Sequence, residues 1–188
     1  MSARGARRGL LLLVVAGVVA VLLAPTVKRI LSDLTLPLSY ASVIREKAQN
    51  EHLSPALVAA VIYAETKFDP RTSPTGALGL MQIEPATAEF LAQRSGATAF
   101  SLADLAHPAT NIAYGCYYLR YLLNRYRHSE TLALAAYNGG ETNVDNWLAQ
   151  AHAAGVRFTL DSIPFAQTRA YVQRVEHAQH EYAQKYGL

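Results

Sequence analysis

A carboxylic acid standing in a row of aliphatic residues is the first candidate for chemistry in this chain. In VAAVIYAETKFDP (58–70), Val58, Val61 and Ile62 fall at the i, i+3, i+4 spacing of a helix face that turns toward a core, and Glu65 is the next residue in that row. Burial there disfavours the carboxylate and raises its pKa. Asp69-Pro70 biases the helix to end just beyond, because proline restricts the residue before it. Glu65 then lies near the negative end of the helix dipole, which disfavours the anion further. A carboxyl group that keeps its proton near neutral pH is what a general acid requires. The alternative is a glutamate at the rim of the face, its carboxylate reaching water.

Two further clusters accompany it. The loop after Glu65 ends in GALGLMQ (76–82), where Gly76 and Gly79 allow backbone to approach a ligand closely or to adopt dihedrals closed to other residues. Ser73, Met81 and Gln82 add a hydroxyl, a soft apolar surface and an amide, a set suited to a sugar bearing an N-acetyl group. Phosphate binding is disfavoured, because the loop lacks a GK[ST] ending and a preceding strand. The second cluster is LALAAYNGG (132–140), in which an apolar helix runs into Tyr137 and Asn138 before two glycines. Tyr137 reaches the Glu65 carboxyl group if the two helices pack, and Asn138 is placed to face a substrate. Read alone, Asn-Gly-Gly is an ordinary helix stop.

Other chemistries find less support. His177 and His180 share a helical face but lack an HExxH frame and a third ligand, so no metal site is expected. No cofactor motif is present. Cys116, the single cysteine, has no partner for an internal disulfide and reads as a small buried thiol. Of the 17 basic residues three, Arg4, Arg7 and Arg8, belong to an N-terminal arm, and the rest balance the 14 acids. The net charge of +3 therefore gives no reason to expect nucleic acid as a partner.

The elements that must position these groups are almost all helical. Helices are expected over 40–50, 55–66, 85–94, 108–126, 130–137, 142–152 and 165–186, with an ordered loop over 70–83. Ser54-Pro55 supplies a cap and a first-turn proline for the helix carrying Glu65. No run alternates convincingly at period two, so the fold class is all-α. Ahead of this domain (40–188), residues 1–27 combine the basic arm with the apolar run LLLLVVAGVVAVLLAP, and residues 28–39 read as a juxtamembrane linker. The arm and run make a retained single-pass anchor in the inner (cytoplasmic) membrane, with the remainder outside, in the periplasm or cell-wall space. Export after signal cleavage is the alternative.

Taken together, the segments carry a resemblance. ETKFDPRTSPTGALGLMQIEPATA, NIAYGCYYLRYLL, AAYNGGETNVDNW and IPFAQTRAYVQRV resemble, in the same order, the signature segments of the soluble lytic transglycosylases, over roughly residues 45–186. This sequence departs from the usual pattern at three points. Thr66 replaces a Ser, the loop to Ser73 is one residue shorter, and Gln167 replaces the Glu of E-T-R, keeping hydrogen-bonding capacity but losing charge.

The resemblance implies a lysozyme-like fold and cleavage of the β-1,4 bond between N-acetylmuramic acid (MurNAc) and N-acetylglucosamine (GlcNAc) in peptidoglycan glycan strands. The cut is made without water and leaves 1,6-anhydro ends. It implies Glu65 as the single acid/base, Tyr137 orienting it, Met81, Gln82 and Gln167 lining the groove, and Ser73 and Asn138 contacting sugar. Protein partners in cell-wall remodelling are not indicated. Two rivals stay open. One is a goose-type-lysozyme-like hydrolase, with Asp69 or Asp104 as the acidic partner positioning water. The other is a non-catalytic peptidoglycan-binding module. Asp69 and Glu84 are otherwise read as helix-end residues.

Overall fold

The helix that carries Glu65 is apolar on every side. In α2 (Pro55–Thr66, following α1, Ala41–Asn50), the run Ala56–Ile62 is at most 2% exposed, so α2 is a central helix rather than an amphipathic one. Pro55 sits at its start, where its missing N–H costs nothing. Full burial of side chains such as Leu57, Val58 and Ile62 contributes about 1.5–3 kcal/mol each.

α2 ends at Thr66, where it was expected to, but by different means. Lys67 and Phe68, not Asp69-Pro70, stop the helix, both in the left-handed region (φ 52° and 66°). A left-handed non-glycine residue costs about 1–2 kcal/mol. Here the Lys67 N–H bonds back to the Tyr63 carbonyl (3.0 Å), and the Phe68 ring is buried against Tyr182 (centroids 6.1 Å apart). Burying that ring offsets the cost of its dihedrals.

A computed structural model describes residues 23–24 and 36–188, and those from Leu38 to Leu188 form one compact unit. The expected anchor over 1–27 lies outside the described residues except at Leu23 and Ala24. The expected linker over 28–39 lies outside them up to residue 35. Among the described residues no helix is long and apolar enough to cross a membrane.

After α2 the chain forms a short antiparallel hairpin, β1 (Arg71–Thr72) and β2 (Leu78–Gly79), with Arg71 opposite Gly79 and Thr72 opposite Leu78. Two-residue strands leave no alternation to read, which is why the sequence showed only a loop here. α3 (Pro85–Ser95) and a 3-10 turn (Leu102–Ala106) follow. Then come α4 (Pro108–Arg125), α5 (Glu130–Gly139), α6 (Glu141–Ala153), a second 3-10 turn (Leu160–Ser162) and α7 (Ala166–Tyr186). α2 packs chiefly against α7, and α5 packs against α4, α6 and α7. The fold is thus mostly helical, with one small hairpin.

A single buried residue pins that hairpin. The Asn111 amide on α4 accepts from the Met81 N–H (2.8 Å) and donates to the carbonyls of Leu78 (2.9 Å) and Leu105 (3.2 Å). Gly79, at φ 73°, lies against it, and a Cβ there would come within 2.2 Å of the amide nitrogen. The close approach made by Gly79 is therefore to the protein's own side chain, not to a ligand.

Candidate functional site

A cleft of about 560 Å³ opens where the end of α2, the hairpin, the start of α3 and the facing parts of α4, α5 and α7 come together. That is within the range of a small-molecule or oligomer-segment site. Its lining is largely polar: Glu65, Ser73, Thr75, Gln82, Glu84 and Thr87 from the first half, then Tyr118, Tyr137, Asn138 and Gln167. All five expected site residues other than Met81 and Glu65 thus meet Glu65 in one groove: Ser73, Gln82, Tyr137, Asn138 and Gln167.

Glu65 lies in the last turn of α2, half-buried. Burial is the largest influence on its carboxyl group and pushes the pKa up from 4.5 to about 7. The Tyr171 hydroxyl, the Arg174 charge and the Arg71 charge, in that order, pull it back down. Arg71 also donates to the Glu65 backbone carbonyl (3.2 Å), holding the last turn in place.

The phenol facing Glu65 is the surprise. Tyr171 on α7 is 1% exposed, and its hydroxyl approaches the Glu65 carboxyl group without closing a well-formed hydrogen bond to any described residue. Burial foremost, and then the Glu65 charge, push its own pKa well up, so it remains a protonated donor. The sequence shows this residue only as one apolar position of a helical stripe along 165–186, with no role of its own. Tyr137, expected to orient Glu65, instead donates to the Met81 carbonyl (2.7 Å). Its ring lines the cleft, and burial followed by the Glu65 charge raises its pKa as well.

Met81 is corrected outright. It is fully buried and is not part of the cleft lining; its side chain packs against Gly115, where a Cβ would come within 2.2 Å of its sulfur. Its neighbours in the loop shape the groove through backbone bonds. Gln82, at φ 48°, donates to the carbonyls of Arg71 and Gly79 (both 2.8 Å), and Ser73 accepts from the Ala77 N–H (2.9 Å). Thr66 is buried, and its hydroxyl donates to the Leu80 carbonyl (2.8 Å) with the Ile62 carbonyl at 3.2 Å. A serine would supply the same hydroxyl, which accounts for the exchange at this position.

The carboxylates named for a hydrolase do not reach the groove. The Asp69 side chain is 81% exposed beside Arg71 (3.9 Å), and Asp104 accepts from the Ser101 N–H (2.8 Å) in the cap of the first 3-10 turn. Glu84, expected as a simple first-turn acid, stands just before α3 and does line the cleft. His177 and His180 lie on α7 beside Glu181 (3.7 Å) and Gln184 (2.8 Å) respectively.

Comparison with known proteins accords with this geometry. The family model for the Transglycosylase SLT domain matches residues 42–157. The chain is 34% identical over 148 residues to the soluble lytic murein transglycosylase of Salmonella typhimurium, covering 74% of this chain and 22% of that protein. It is 43% identical over 100 residues to the transglycosylase of Enterobacteria phage PRD1, covering 53% of this chain and 34% of that one. An inactive mutant of the lytic transglycosylase Slt from Pseudomonas aeruginosa superposes with a TM-score of 0.76 at 30% identity, covering 83% of this chain and 26% of that chain. The chain therefore spans about a quarter of the length of the Salmonella and Pseudomonas proteins.

Proposed function

The chain belongs to the transglycosylase SLT family, and from that premise we propose that it is a peptidoglycan lytic transglycosylase whose single acid/base is Glu65. The observation that carries this reading is a half-buried carboxyl group, held protonated to about pH 7, on the wall of a polar groove. The relatives' activity on murein is in their names, and the groove supplies donors and acceptors for sugar hydroxyl and N-acetyl groups.

In the proposed reaction Glu65 gives its proton to the oxygen joining MurNAc C1 to GlcNAc C4 as the bond from C1 to that oxygen breaks. The N-acetyl group of the muramoyl residue stabilises the cation at C1. The muramoyl 6-hydroxyl then bonds to C1 and returns its proton to Glu65, closing a 1,6-anhydro ring. The proton count balances with one carboxyl group and no water, unlike glycosidases that place two carboxylates about the bond. Tyr171 keeps a phenolic donor beside the acid, Tyr137 holds the Met81 carbonyl, and the uncommitted amides of Asn138 and Gln167 are the sugar-contacting groups. General acid catalysis of this kind contributes about 10²–10⁴-fold. The proposal extends to a membrane tether through residues 1–27, which rests on the basic arm and apolar run alone; resistance of the full chain to alkaline extraction from membranes tests it.

The reaction itself is tested by mass spectrometry of fragments from purified sacculi treated with the full chain in detergent, beside Glu65→Gln. Anhydro-muropeptides that disappear in the variant are expected. Reducing ends instead would mean that water attacks and would move attention to Glu84. A folded protein that binds sacculi equally well with and without the substitution, and releases nothing, would be a binding module.

A further inference from the structure

The aromatic residues beside the cleft continue past it. Thr87 on α3 and Tyr118 on α4 both line the groove. One helical turn further along each helix stand Phe90 and Tyr121, whose rings meet edge to face at 5.3 Å. Tyr118 and Tyr121 stack nearly parallel (12° between planes, centroids 6.2 Å apart). On α3 Arg94 follows, its guanidinium 5.1 Å above the Tyr121 ring. Tyr121 is fixed from the other side by its hydroxyl, which donates to Glu141 at the start of α6 (2.9 Å). Phe90 remains 39% exposed on top of this assembly.

Single exposed hydrophobic residues are ordinary. This one is different, because it caps a rigid aromatic cluster continuous with a polar saccharide groove. A pyranose ring has an apolar C–H face that an aromatic ring accommodates, while its edge hydroxyl groups stay in water. We infer that Phe90, backed by Tyr121 and flanked by Arg94, forms an additional subsite that takes a further N-acetylhexosamine of the same glycan strand beyond the cleft. The inference rests on the peptidoglycan reading above. Arg94 stands where a carboxylate of the lactyl group or stem peptide on that sugar would meet a cation.

The test compares the full chain in detergent with Phe90→Ala on glycan strands fractionated by length. Phe90→Ala is expected to lower kcat/KM on long strands by about tenfold, the size of one well-formed aromatic contact. Strands too short to pass the cleft should be cut at the unaltered rate, and Phe90→Trp should restore the long-strand rate. Val156→Ala, an exposed apolar residue outside the cleft lining, serves as the control. Equal losses on short and long strands, or no loss on either, would overturn the subsite. If the unsubstituted protein cuts nothing, the enzymatic reading fails separately. Binding of the same strands to Glu65→Gln with and without Phe90→Ala then still decides the subsite, by the same length dependence.

Discussion

In the part of the cleft built from residues 65–84, polar side chains are committed to the protein's own backbone. Gln82 holds two carbonyls, Ser73 holds the Ala77 N–H and Thr66 bridges to Leu80, while Asn111 clamps the hairpin from behind. In the part built from α5 and α7, apart from Tyr137 on the Met81 carbonyl, the arrangement is reversed. Among the described residues no side-chain hydrogen bond engages the Asn138 or Gln167 amide, although both line the groove. One region makes shape and holds the turn that carries Glu65; the other leaves amides open to the groove. Substitutions in the two regions should therefore fail in different ways, the first through stability and turnover together, the second through substrate affinity.

The largest expected effect is at the acid itself. Glu65→Gln should lower kcat by about 10²–10⁴-fold and, above neutral pH, should stabilise the fold. The sign follows from the raised pKa. Between 4.5 and about 7 the folded protein holds a proton that the unfolded chain has released, so wild-type stability falls across that window as pH rises. The glutamine variant lacks this loss. Its advantage should be near zero at pH 4 and reach about 1–3 kcal/mol above pH 7, allowing for the partial exposure of the group; thermal unfolding at the two pH values measures it.

Next comes the clamp. Asn111→Ala leaves the Met81 N–H and two carbonyls without their buried partner, and should cost about 3 kcal/mol in chemical denaturation with turnover lost alongside. Gln82→Ala should do the same more weakly. Tyr171→Phe sharpens the picture of the acid. The Tyr171 hydroxyl lowers the Glu65 pKa, so its removal should move the falling limb of kcat/KM to higher pH. The smallest effects belong to the open region. Asn138→Ala and Gln167→Ala should raise KM severalfold while leaving stability within about 0.5 kcal/mol. A loss of stability equal to that of Gln82→Ala would erase the distinction between the two regions.

The sequence made some of this visible and hid the rest for definite reasons. The acid was legible because a charged residue in an aliphatic row breaks a pattern, and the helices were legible from proline starts and glycine stops. Tyr171 was missed as a site residue because a tyrosine in a helical stripe looks the same whether its hydroxyl meets water or a buried carboxyl group. Met81 was misplaced because nothing in GALGLMQ shows which way the loop turns; Asn111 and Gly115, some thirty residues away, decide that it turns inward. Asn111 itself gave no signal beyond an ordinary polar residue at the start of a helix. Long-range packing, not local pattern, separates the residues that line the groove from those that hold it.

The most direct test of the central claim is the titration of the Glu65 carboxyl carbon, followed by NMR in protein carrying labelled glutamate and assigned against Glu65→Gln. An inflection near pH 7 is the predicted result. A midpoint near 4.5, the ordinary value for an exposed glutamate, would mean that the group is already ionised at neutral pH and would contradict its role as the acid.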